Sequence, residues 1–204
     1  MAGLLSLVGK LAKKGYPESV ARKIATGQLP MDEASRLARA RKMSDMVETT
    51  HYGAPDINEF MLPDPPRPSK HGAGVYSSTD NTYGERYIQG KDSPAAYGLL
   101  SLGKIASKQD VIDAEKQVLG LPMGERPMGS GPHWRAIQDI LKSQGFTGMQ
   151  FGKERVVFDP SNVRSVNAAF DPEYTGSNIL GSRMAPTAGA GLLGILGLTE
   201  EDLD

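Results

Sequence analysis

The sequence predicts an α+β fold, and three observations predict it. Short β-prone runs bounded by Gly or Pro recur at residues 47–53, 72–79, 154–158 and 162–167. Stretches with apolar residues at helical spacing precede and separate them. At 204 residues the chain is long enough for one well-packed domain plus appendages. These features divide it into an N-terminal helical segment (1–46), a mixed domain (47–180) and a tail (181–204). The tail is Gly-rich and apolar, then acidic through Glu200-Glu201-Asp202-Leu203-Asp204.

Met1 to Leu11 places Leu4, Leu5, Leu7, Val8 and Leu11 ahead of lysines, which reads as an amphipathic helix. A secretion signal carries its charge before the apolar run and a cleavage site after it, so that reading is disfavoured. Two short helices follow, at 16–28 and 31–45. Pro30 and Asp32 supply start signals for the second, and Ala34-Ser-Arg-Leu-Ala-Arg-Ala-Arg is strongly helix-forming. Residues 47–53 form the first core strand. Pro63-Asp-Pro-Pro-Arg-Pro-Ser is a stiff loop with polyproline character. A Gly-led strand carries Tyr76, and a short helix spans Asn81 to Tyr87. Ser107 to Leu119 is a helix closed by Gly120. Residues 122–132, rich in Pro and Gly, form a loop. The helix from His133 to Ser143 puts Trp134, Ile137, Ile140 and Leu141 on one face and ends at Gly145, so Trp134 belongs to the core.

The residues with chemical potential lie on the strands. Val156-Val157-Phe158 is too short for a helix and is stopped by Asp159-Pro160. Glu154 therefore sits at a strand's start, where a sheet edge opens into a loop and a carboxylate can face a cleft while keeping its charge. Upstream, Thr49-Thr50-His51-Tyr52-Gly53 is a β-prone run. Gly74-Val75-Tyr76-Ser77 opens another strand, and Tyr87 follows Tyr76 by eleven positions.

This order of His, Gly-x-Tyr-Ser, a second Tyr and then Glu before Val-Val-Phe-Asp resembles the His-Tyr-Glu class of ADP-ribosyltransferases. That class includes the diphtheria-toxin-like enzymes and the poly(ADP-ribose) polymerases. The nearer likeness is to ADP-ribosyltransferase domains of bacteriophage polyvalent and virion proteins, and it covers residues 30 to 180. Its most specific block is Gln144-Gly-Phe-Thr-Gly, then Glu154-Arg-Val-Val-Phe-Asp-Pro, Val163-Arg-Ser and Phe170-Asp-Pro.

The resemblance implies a split antiparallel β-sandwich with flanking helices, two packed sheets and an NAD⁺ cleft between them. It implies a mono-ADP-ribosyltransferase that transfers ADP-ribose to a host protein or nucleic acid and releases nicotinamide. Glu154 is then the catalytic carboxylate, stabilising an oxocarbenium-like transition state much as in glycoside hydrolysis. Tyr76 and Tyr87 would sandwich the nicotinamide ring. His51 would bond the adenosine-side ribose, the backbone at Tyr52 and Gly53 would clamp the nicotinamide amide, and Ser77 completes the NAD⁺-binding set. The family has Gly directly after the His, where Tyr52 stands, and often Ser where Gly84 stands. Arginine-directed members carry Glu or Gln where Gly152 stands, so arginine is disfavoured as acceptor. Two further functions fit the same residues. One is a virion structural or ejected protein that keeps the fold without activity, in contact with other virion proteins. The other is an NAD glycohydrolase with water as acceptor.

Bulk composition narrows the field. Net charge is −1, so no global pull toward nucleic acid is expected. Residues 1–43 nonetheless hold nine Lys and Arg, the pattern of a solvated helix face. With no Cys there is no disulfide or thiolate site, which fits a host cytoplasm or a virion assembled there. Three scattered histidines show no metal-ligand spacing, and no apolar run reaches the ~20 residues of a transmembrane helix.

Overall fold

The computed structural model describes residues 2–53, 60–62, 71–80, 82, 95–122, 125 and 130–174. Among these, helices α1 (Ala2–Lys13), α2 (Glu18–Ala25) and α3 (Glu33–Met43) precede strands β1 (Thr49–Gly53), β2 (Val75–Ser78), β3 (Ala95–Ser101) and β4 (Lys104–Ala106). Helices α4 (Lys108–Gly120) and α5 (Ser130–Ser143) lead to β5 (Phe146–Phe151), β6 (Glu154–Val157), a 3₁₀ turn at Pro160–Asn162 and β7 (Val163–Ser165). The seven strands form one sheet in the order β4-β5-β6-β2-β1-β3-β7. Every pairing is antiparallel except β4 with β5, which are parallel and joined through α4 and α5.

The α+β class holds, with a different sheet arrangement from the two packed antiparallel sheets expected. Hydrogen bonding is continuous across seven strands, and the sheet curls into a half-barrel. Val75 and Val157 of its middle share one buried cluster with Leu99 and Val163 of its far end, which places the apolar concave side. The join between β1 and β2 is thin, with Thr50 and Ser78 as its registered pair.

The opposite face is covered by helices at both ends. Val111, Ala114 and Val118 of α4 and Ile137 and Leu141 of α5 pack onto Phe146, Met149 and Val156. Burying one such aliphatic side chain contributes about 1.5–3 kcal/mol. Helix α4 begins with a capping box: Ser107 accepts from the Asp110 N–H, and the Asp110 carboxylate accepts from the Ser107 N–H at 2.7 Å. At the other end Ala40 of α3 packs with Leu100, Leu102 and Phe170.

In the N-terminal segment α2 and α3 are shorter than the 16–28 and 31–45 expected, whereas α1 runs past Leu11 to Lys13 and buries Val8 and Leu11. Its basic residues are less solvated than their pattern predicts. Arg36 is buried and donates to the Val166 carbonyl, while Arg39 Nε donates to the Ala169 carbonyl at 3.0 Å. Arg164, also buried, donates to the Tyr174 carbonyl at 2.7 Å. Burial lowers the pKa of both Arg36 and Arg164 from the ordinary arginine value. Lys23 of α2 bridges Asp171 at 2.8 Å. Arg36 and Arg39 thus tie α3 to the main chain after β7, Lys23 ties α2 to the Asp171 side chain there, and Arg164 ties β7 itself to the same segment, a use that charge counting does not reveal.

Three strands lie outside the sequence expectation: β3, β4 and β5. The expected Asn81–Tyr87 helix, the polyproline loop at 63–70, residues 123–124 and 126–129 of the 122–132 loop and the 181–204 tail lie outside the described residues, apart from Thr82. The last three residues of that loop belong to α5, which begins at Ser130 rather than His133. No helix among the described residues is long and apolar enough to cross a membrane.

Candidate functional site

The three segments that carry the predicted site residues become three adjacent strands, β6, β2 and β1, in the middle of the sheet. Their register sets a cross-strand row. Phe151 of β5 opposes Glu154, Glu154 opposes Ser78, and Ser78 opposes Thr50. Side chains in such a row share a face, and alternation along each strand adds Tyr76 and Tyr52 to it.

Glu154 occupies a different setting from the exposed sheet edge expected. Strand β5, unforeseen in the sequence, pairs outside β6 and makes β6 an interior strand. Glu154 is only 6% exposed. A buried carboxylate is costly unless polar or charged groups compensate it. His71 does so here: its Nδ1 lies 3.1 Å from Glu154 Oε2, and both side chains are buried. At this distance the two form an ion pair when the imidazole is protonated.

The His71 ring is held on several sides. Trp134 of α5 meets it edge-on at 4.9 Å between centroids, and Phe151 lies at the same distance, tilted. Its main chain is fixed as well. The His71 N–H donates to the Tyr76 hydroxyl at 3.2 Å, and its carbonyl accepts from Gln138 Nε2 at 3.0 Å. Gln138 Nε2 also donates to the Ala73 carbonyl at 2.9 Å. The turn needs Gly72, whose φ is +88° and whose Cβ position lies 2.4 Å from Gln138 Nε2.

Tyr76 shares the face of Glu154, and its contacts there are structural. Its hydroxyl donates to the Gly72 carbonyl at 2.7 Å, and its ring packs beside the cluster under α5. His51 lies on the opposite, concave face, with its ring 4.7 Å from Phe60 and 6.3 Å from Tyr97. Its Nδ1 is 2.7 Å from the Tyr76 carbonyl. That oxygen only accepts, so Nδ1 carries a proton and donates it. The bond falls where the β1–β2 ladder thins and stands in for a backbone pair. Ser77, opposite Arg155, shares the concave face with His51. Arg155 is buried there, with Nη1 and Nη2 on the two Asp45 carboxylate oxygens at 3.1 and 2.9 Å and Nε on Gln150 Oε1 at 3.0 Å. Gly53 ends β1, and Tyr87 lies outside the described residues.

No family model, curated protein or solved structure matches this chain. The site therefore rests on its own geometry.

That geometry joins Glu154, Tyr76 and Ser78 on one face and sets His51 and Ser77 on the other. No cluster of three or more metal-ligating side chains occurs among the described residues. Sequence reasoning missed His71, Phe151 and Gln138, and took Trp134 only for core. His71 carries no local signal, because its link to Glu154 exists only once β2 and β6 have paired.

Proposed function

We propose that the chain is an NAD⁺-dependent mono-ADP-ribosyltransferase of the phage type, acting in the host cytoplasm or carried in the virion, with Glu154 as its catalytic carboxylate. One observation carries the reading: the His51, Tyr76 and Glu154 segments, distant in sequence, are neighbouring strands, with Glu154 directly opposite Ser78. A carboxylate on an interior strand is anchored at its base by the sheet, and this one meets His71 at its far end. Such fixed charge stabilises a cation developing nearby without reorganising during the reaction.

In the reaction the bond between nicotinamide nitrogen and ribose carbon breaks, and its electron pair leaves with neutral nicotinamide. The acceptor's nucleophile bonds the ribose carbon and gives up its proton. Glu154 faces the positive charge that develops on the ribose and accepts a hydrogen bond from its 2′-hydroxyl. Ser78 and Tyr76 share the face of Glu154. His51 acts from behind, through the Tyr76 carbonyl, and not on the ribose directly.

A second reading has its own support. The Tyr76 hydroxyl is engaged by Gly72 and His71, and the His51 Nδ1 by a main-chain carbonyl. Groups committed in this way also suit an inactive fold kept as a virion structural or ejected protein. Incubation with NAD⁺ labelled in its adenosine half, beside host lysate, separates the readings. Label on protein or nucleic acid supports transfer, and free ADP-ribose alone supports the glycohydrolase. Intact NAD⁺ after prolonged incubation with folded protein refutes both enzymatic readings and favours the structural one.

A further inference from the structure

We infer that His71 is the positioning residue of the site, holding the Glu154 carboxylate in its working orientation. The inference deepens the transferase reading and rests on it. Four contacts converge on this one residue: Trp134 and Phe151 hold its imidazole, while the Tyr76 hydroxyl on its backbone N–H and the Gln138 amide on its backbone carbonyl hold its main chain. The turn that presents it is equally constrained. Gly72 has no room for a Cβ beside Gln138, and a Cβ at Gly74 would lie 2.6 Å from the Val157 carbonyl. A ring so fixed places Nδ1 at 3.1 Å from Glu154 Oε2.

A glutamate has three side-chain torsions and loses orientation unless something restrains them. The β6 backbone fixes only where the side chain begins. His71 fixes where it ends, as the third group of a triad orients its base. A carboxylate misplaced by 1 Å at a reacting centre costs about 10²-fold in rate, which is the scale of effect His71 should have.

Three substitutions at His71 test this in the full-length protein. His71→Phe keeps ring volume and aromatic contacts but removes both nitrogens. His71→Asn keeps a donor near the Nδ1 position, and His71→Gln moves it toward the Nε2 position. Positioning predicts that kcat for nicotinamide release falls at least tenfold in His71→Phe and in His71→Gln, with KM for NAD⁺ changed less than threefold. His71→Asn should recover most of the loss. Equal rates in the three variants, or a rise in KM at constant kcat, would overturn it.

A second readout does not depend on activity. In protein carrying ¹⁵N-labelled histidine, Glu154→Gln should displace the His71 ring-nitrogen resonances at constant pH and leave those of His133 in place. Unmoved His71 resonances overturn the positioning role even if the wild type is active. A wild type that releases no nicotinamide refutes the transferase reading instead, whatever the resonances do.

Discussion

His51 and Glu154 stand on opposite faces of the same three-strand stretch. The register fixes this: Glu154 opposes Ser78 and Ser78 opposes Thr50, so His51, one residue on, turns away. The two residues that the sequence groups into one site are thus joined through β2, by way of the His51 bond to the Tyr76 carbonyl.

His51 should therefore matter first to stability. His51→Ala removes a 2.7 Å bond to a main-chain oxygen and the contact with Phe60. Urea denaturation should show a loss of about 1–3 kcal/mol. Nicotinamide release, measured below the unfolding transition, should fall far less than in Glu154→Gln. A fully stable variant with NAD⁺ affinity lost would place His51 on the substrate instead.

Gly72→Ala tests the turn that presents His71. The positive φ and the approach of Gln138 together disfavour any side chain there. The variant should lose about 1–3 kcal/mol from backbone strain alone. Gln138→Ala alone loses the bonds to the His71 and Ala73 carbonyls, so it serves as the reference in thermal melts. Gly72→Ala should cost less in that background than in wild type, because the crowding is gone, but should still cost stability through its φ.

Asp171 supplies an acid-sensitive contact. Burial by itself would raise its pKa, but the Lys23 hydrogen bond, the Glu173 N–H and the charges of Lys23 and Arg39 together hold it below the usual carboxylate range. A carboxylate depressed in the folded state contributes stability above its unfolded pKa of about 3.9, and that stability is lost as pH falls through the lower folded value. Asp171→Asn should lower the melting temperature at pH 7, and the gap to wild type should close below about pH 4. A gap unchanged at pH 3 would show that Lys23 and Asp171 do not couple.

The sequence was most legible where local chemistry decides structure. Ser107 and Asp110 mark the start of α4 by their capping box, Asp32 caps α3 by accepting from the Ser35 N–H, and Val156-Val157 can only be a buried strand. Strand β3 was hidden because Ala95-Ala-Tyr-Gly-Leu-Leu-Ser has low β propensity. It is a strand because β1 and β7 pair with its two sides. Strand β5 contains Gly148, whose Cβ position lies 2.7 Å from the Val156 carbonyl, a close approach that only the assembled sheet reveals. The same limit applied to the site. Glu154 could be picked out by its place before an apolar run, but its burial depends on β5 and its partner His71 on the turn before β2.

The most direct test of the account is nicotinamide release from NAD⁺ by wild type and Glu154→Gln, with NAD⁺ binding measured in parallel by calorimetry. Glutamine keeps the size of Glu154 while removing its charge. The account predicts measurable release by wild type, a fall of about 10²–10³-fold in Glu154→Gln and NAD⁺ affinity preserved within a few-fold, because the carboxylate acts on the transition state. Equal release by the two proteins, or none by a folded wild type that fails to bind NAD⁺, would contradict it.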